Sequence, residues 1–185
     1  IKHMKLVEPI KNIEDVNRIK DYLKLKNSRN YLIFVMGINT GIKTCQMLGL
    51  RFKDILDNEN NIRNYISING IEYDITSNTE KAIEEYILSI PRDENKRSYL
   101  FKSNKGDLPI DRSHLYRILN DAAKKCKVDL PIGNETLRKT FGYHYYHQIG
   151  DLKHLQLVLN QKSVSKLYDY LDIDNDIDFN KKFNL

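Results

Sequence analysis

Only two cysteines occur in the 185 residues, Cys45 and Cys126, far apart and in no C-x-x-C arrangement. That spacing excludes a cysteine zinc site and a disulfide framework; two reduced, mostly buried thiols are expected instead. No apolar run approaches the roughly 18 residues that a membrane span needs, and the first residues do not read as a signal peptide. A cytoplasmic protein with no membrane partner is the resulting expectation. Repeats, long linkers and a second apolar core are also lacking, which leaves one domain. What is present suits a globular chain: 41% hydrophobic and 30% charged residues, enough to bury a core at this length.

The net charge of +5 is unevenly placed. From Asp169 onward five Asp stand against two Lys, leaving −3, so residues 1–168 carry +8. A basic body of this kind suits a phosphate-backbone partner. Lys/Asn/Ile-heavy sequences share the same balance for reasons of composition, so charge alone does not decide the partner.

Hydrophobic spacing predicts a mainly helical chain. Ile13, Val16, Ile19, Tyr22 and Leu23 recur at helical intervals behind an Asn12 cap. Residues 29–38 are apolar almost all round, as a central buried helix would be, and Gly41 breaks the chain after them. A short helix over 43–48 follows. Residues 62–68 and 71–75 alternate around Asn69-Gly70, the strongest short hairpin signal, because both turn positions need positive φ. Ser77-x-x-Glu80 reads as a capping box opening a helix that Pro91 ends, and 99–102 as a third short strand. Helices over 111–126, 134–149, 152–159 and 163–171 complete an α+β chain: mainly α with a small antiparallel sheet.

Four segments then become specific. Asn39-Thr40-Gly41-Ile42-Lys43 is similar to a T-G-x-R segment. A hairpin leading into a capped helix follows. Glu135-Thr136-Leu137-Arg138-Lys139-Thr140-Phe141-Gly142-Tyr143-His144 resembles an H-x-L-R-[HK]-[ST]-F-x-x-H box. Leu159-Asn160-Gln161-Lys162-Ser163, with Tyr170 nine residues after Gln161, resembles L-[GN]-H-x-S followed by a tyrosine. In this order, the four resemble the catalytic domain of tyrosine recombinases of the phage-integrase type.

That resemblance implies a fold, a partner and a chemistry. The partner is double-stranded DNA. Tyr170 is the implied nucleophile, attacking a backbone phosphorus to leave a 3′-phosphotyrosyl link and a free 5′ hydroxyl. Arg138 and Lys43 are the implied phosphate clamps, Glu135 and Gln161 line the site, and Lys139, Arg112 and His114 are candidate DNA contacts. Neither a metal nor another cofactor is needed. Residues 1–185 form one catalytic-type domain, about 7–173 its core and 174–185 an acidic tail. In the family such a tail often meets a neighbouring subunit, so self-association through it is expected, with Phe179 and Phe183 as anchors. A further DNA-binding domain is expected before Lys5.

The chain departs from the family pattern at most positions. Lys43 stands for the first arginine and loses its bidentate fork. Glu135 stands for a histidine and brings a negative charge; Gln161 stands for a histidine or tryptophan; the turn Asn69-Gly70 holds no lysine. Two readings follow. One is a strand-nicking enzyme from a mobile element, such as a relaxase starting transfer of a conjugative plasmid. The other is a DNA-binding module that keeps the fold without the chemistry. Tyr168 competes with Tyr170, but residues two apart on a helix point about 200° apart, and the spacing favours Tyr170. Asp172-x-Asp174-x-Asp176-x-Asp178 is not an EF-hand loop, since the sixth and twelfth positions are Ile177 and Phe183.

Overall fold

The computed structural model describes residues 7–91 and 94–173. The acidic tail, with Phe179 and Phe183, lies outside them. Helix α1 (Ile13–Lys26) starts where the Asn12 side chain accepts from the Glu14 backbone N–H at 2.9 Å, with Glu14 and Asp15 in its first turn and Lys24 and Lys26 in its last. This charge order complements the helix dipole. Val16, Ile19 and Leu23 are buried, while Ile13, expected on the same face, remains half exposed in the first turn.

Helix α2 (Ser28–Thr40) is the centre of the domain: Leu32 to Gly37 are all buried. It ends at Gly41, whose φ of 75° is the left-handed cap that a Cβ would disfavour. Two short helices follow, α3 (Thr44–Leu48) and α4 (Phe52–Ile55). Strands β1 (Tyr65–Ile68) and β2 (Ile71–Asp74) pair antiparallel, with Ile66 opposite Tyr73 on the buried face. The turn between them has φ of 51° at Asn69 and 79° at Gly70, as the dipeptide requires.

Two local expectations are corrected. Helix α5 (Ser77–Ser89) is capped by Thr76, whose Oγ1 accepts from Thr79 N–H at 3.4 Å; Ser77 is already helical, so the Ser77/Glu80 box does not form. Thr76 wins the cap because its hydroxyl also reaches Asn39 Oδ1 at 3.2 Å, tying the helix start to the end of α2. The strand expected over 99–102 is reduced to isolated bridges, Arg51 to Tyr99 and Lys102 to Pro109. Pro109 has no N–H to extend a ladder.

The C-terminal half is helical: α6 (Arg112–Lys125), α7 (Thr136–Gln148), α8 (Leu152–Val158) and α9 (Val164–Leu171). Both α5 and α7 pack on α2, and α8 and α9 pack on α7. The thiols are less buried than composition implies: Cys45 is exposed on α3, and Cys126 is half-buried with its Sγ 3.4 Å from Arg18 O. Among the described residues no helix is long and apolar enough to cross a membrane.

Helix α9 can approach α7 because Gly142 lacks a side chain; a Cβ there would lie 2.5 Å from Leu171 Cδ2 and 2.7 Å from Leu159 Cδ1. Gly142→Val is therefore expected to lower stability by about 1–3 kcal/mol through overpacking, read as a lower urea midpoint. An unchanged midpoint would show that α9 shifts at no cost.

Candidate active site

Arg138 lies in the first turn of α7 and is only 6% exposed. Its Nε donates to Gly41 O at 3.0 Å and its Nη2 to Val158 O at 2.9 Å. One guanidinium thus joins the cap of α2, the end of α8 and the start of α7, three segments that the sequence motifs single out. Its remaining arm, Nη1, faces Glu135 Oε2 at 3.5 Å.

Glu135 precedes α7 with a φ of 74°, and its side chain makes no cap hydrogen bond to the helix. The left-handed backbone turns the carboxylate out of the capping position and into the site. There the same Oε2 accepts a hydrogen bond from the Tyr170 hydroxyl. Tyr170 is half-buried on α9, whose start is fixed by Ser163 accepting from Lys166 N–H at 3.2 Å. Burial, then the hydrogen bond to Glu135 and its charge, hold the Tyr170 phenol far above the ordinary tyrosine value; Arg138 pulls the other way and is outweighed. Tyr168 points into the core, buried and edge-on to Tyr146 at 5.6 Å.

The other expected residues divide. Lys43 is exposed at the cap of α3, two residues after the carbonyl that Arg138 holds. Gln161 is half-buried, but its Nε2 turns back to Leu159 O at 3.2 Å. Arg112 is exposed at the start of α6; His114 is half-buried, with its backbone N–H capped by Asp111 at 2.7 Å. Lys139, expected as a DNA contact, lies inside the domain. It is 6% exposed, its Nζ donates to Val7 O at 2.9 Å and stands 4.9 Å from the centre of the Tyr170 ring, and burial lowers its pKa. It packs beneath the tyrosine. His144, at the end of the box, binds Ile10 O through Nε2 at 2.8 Å.

Two tyrosines beside the site escape the motif comparison. Tyr116, one turn after Arg112 on α6, donates to Asn134 Oδ1 at 3.1 Å, and burial raises its pKa. It ties α6 to the loop that carries Glu135. Its i+4 relation to Arg112 was the available signal. Tyr73 on β2 is buried within range of the Arg138 charge, which sets the hairpin beside the site.

A buried guanidinium and a phenol thus meet on one carboxylate in a mainly helical domain. The chain belongs to the phage integrase family, whose profile matches residues 11–176. It is 35% identical over 181 residues to the probable integrase/recombinase YoeC of Bacillus subtilis (strain 168), an overlap of 94% of this chain and 93% of that protein. With the tyrosine recombinase XerC of Staphylococcus saprophyticus it shares 26% identity over 154 residues, 82% of this chain and 51% of the relative. The chain therefore spans most of one relative and about half of another. Its fold is that of the XerA recombinase crystal structure, at a TM-score of 0.73 and 22% identity, covering 92% of this chain and 60% of that one. A lambda integrase dimer bound to a COC' core site superposes at 0.64, with 17% identity, 98% coverage of this chain and 51% of the other.

Arg138→Leu leaves two buried carbonyls unpaired, so it should cost about 1–3 kcal/mol of stability. Lys43→Ala, at an exposed position, should stay within about 0.5 kcal/mol. Urea titrations of both variants compare them directly. Because the folded Tyr170 phenol is held above the ordinary value of about 10, it stays protonated where the unfolded chain ionises. Its contribution is therefore full below about pH 10 and is lost as pH rises beyond it, and Tyr170→Phe should lose less stability there. Urea midpoints on either side of about pH 10 check the sign.

Proposed function

We propose that this chain binds double-stranded DNA and breaks one strand by attack of Tyr170 on a backbone phosphorus. The observation that carries the reading is the single carboxylate shared by the Tyr170 hydroxyl and the Arg138 guanidinium, which sets nucleophile and anion ligand one side chain apart. The Tyr170 oxygen bonds to phosphorus, the 5′ oxygen leaves with the P–O electron pair, and the product is a 3′-phosphotyrosyl link. Arg138, already fixed by Gly41 and Val158, stands ready beside the growing negative charge. Lys43 adds a second cation from the rim. DNA as partner is further supported by the neighbour described as bound to a COC' core site. No cofactor takes part in this chemistry.

Arg112 and His114 extend the DNA-facing surface along α6. A mobile element as source belongs to the same proposal, with the nick that opens conjugative plasmid transfer as its narrower form. So do self-association through residues 174–185 and an N-terminal domain that clasps the far side of the duplex, as expected from the family.

A second reading is favoured by one specific observation: the turn Asn69-Gly70 offers no lysine to protonate the leaving oxygen. On that reading the chain binds DNA without cutting it.

A nicked suicide duplex separates the two. The first reading expects a denaturation-resistant adduct with the native chain, none with Tyr170→Phe, and a rate lower by about a hundred- to thousandfold with Arg138→Ala. Lys43→Arg should raise the rate by supplying the bidentate fork. An adduct that persists in Tyr170→Phe overturns the nucleophile. Salt-sensitive binding without an adduct in any variant supports the second reading.

A further inference from the structure

Glu135 is the departure from the family pattern that the chemistry above leaves without a role. A carboxylate beside a phosphate site repels the substrate, and one beside a phenol opposes its ionisation. Both penalties exist only while Glu135 carries its charge. The same oxygen that would repel the phosphate accepts the Tyr170 hydroxyl and faces Arg138 Nη1. We infer that Glu135 is the proton acceptor for Tyr170, and that this one transfer arms the tyrosine, removes the charge that would repel the phosphate and frees Arg138 Nη1 to clamp it. The inference rests on Tyr170 as nucleophile.

The step balances. The Tyr170 O–H proton passes to the Glu135 carboxylate as the tyrosine oxygen bonds to phosphorus. The P–O5′ bond breaks, its electron pair leaves on the 5′ oxygen, and that oxygen takes a proton from water. In reverse, neutral Glu135 returns the proton to the departing tyrosine oxygen. The site then never holds carboxylate, tyrosinate and transition-state phosphate charge together, which a histidine in this place would not need to arrange.

Other candidates are committed elsewhere. Lys139 Nζ is held by Val7 O, the Gln161 amide by Leu159 O and the His144 ring by Ile10 O. His147 packs edge-on to Tyr143 at 4.5 Å and His154 lies tilted against Tyr145 at 5.4 Å. Among the described residues, Glu135 is the carboxylate or imidazole that touches the Tyr170 oxygen. A nucleophile hydrogen-bonded to a base, and that base held by a third group, is the arrangement that activates hydroxyl nucleophiles in general.

The test measures adduct formation on a suicide duplex whose scissile 5′ bridging oxygen is either oxygen or sulfur, since a thiolate leaves without a proton. Glu135→Gln keeps the shape and the hydrogen-bond acceptor but takes no proton. It should slow capture by about a hundred- to ten-thousandfold on both substrates, while duplex binding by fluorescence anisotropy is as tight as in the native chain or tighter, a repelling charge being gone. Glu135→His should recover much of the rate. If sulfur restores the Glu135→Gln rate, Glu135 serves the leaving oxygen and the inference fails. If Glu135→Gln matches or exceeds the native chain, the carboxylate only restrains Tyr170, and the inference fails while Tyr170 stands as nucleophile. A native chain that forms no adduct on either substrate removes both.

Discussion

The Arg138 guanidinium is the constraint around which this domain is arranged. A cation at 6% exposure survives only if its N–H groups find acceptors. Here two are backbone carbonyls from segments 97 and 20 residues distant in sequence, and the third is a partly exposed carboxylate. The demand runs both ways. The chain after α2 must present Gly41 O inward, which the left-handed glycine allows, and α8 must end so that Val158 O faces the same point. Helix α9 follows from α8 through a short turn and is drawn onto α7 at Gly142, and that approach brings Tyr170 to the carboxylate.

Much of this was legible in the sequence because local signals and tertiary demands agree. Asn69-Gly70 folds as the dipeptide dictates, and α2, apolar on every side, is central. The two tyrosines point apart, as residues two apart on a helix must: Tyr170 reaches Glu135, and Tyr168 meets Tyr146 edge-on. The misreadings come from side chains with two options of similar energy. Thr76 and Ser77 are both good caps, and a long-range bond to Asn39 chose between them. Lys139, expected at the surface, is buried, its ammonium over the Tyr170 ring and bonded to Val7 O. Cys45 is exposed because α3 is a single turn whose apolar face is already filled by Met47 and Leu48.

Tyr116 shows a different limit. Its i+4 relation to Arg112 marks only a helix face, and its role arises from where α6 passes the loop before α7. A motif comparison weighs positions against a family pattern, so it cannot find a residue that serves by bracing a pattern segment from outside it. The same holds for Tyr73, which the hairpin register brings opposite Ile66 and within range of Arg138.

The departures from the family pattern also have a joint kinetic meaning on the proposed chemistry. A group that protonates the leaving 5′ oxygen during cleavage must deprotonate the 5′ hydroxyl during rejoining, by microscopic reversibility. A turn without lysine therefore raises the barrier in both directions equally and leaves the balance between duplex and adduct where it was. In the inference above, Glu135 acts at the other end of the displacement, on the tyrosine oxygen, so it cannot replace that group. The covalent state of such a site would form slowly and, once formed, last. A long-lived covalent end suits capture of a single strand better than rapid exchange among four, and it follows from which end of the reacting bond this chain serves.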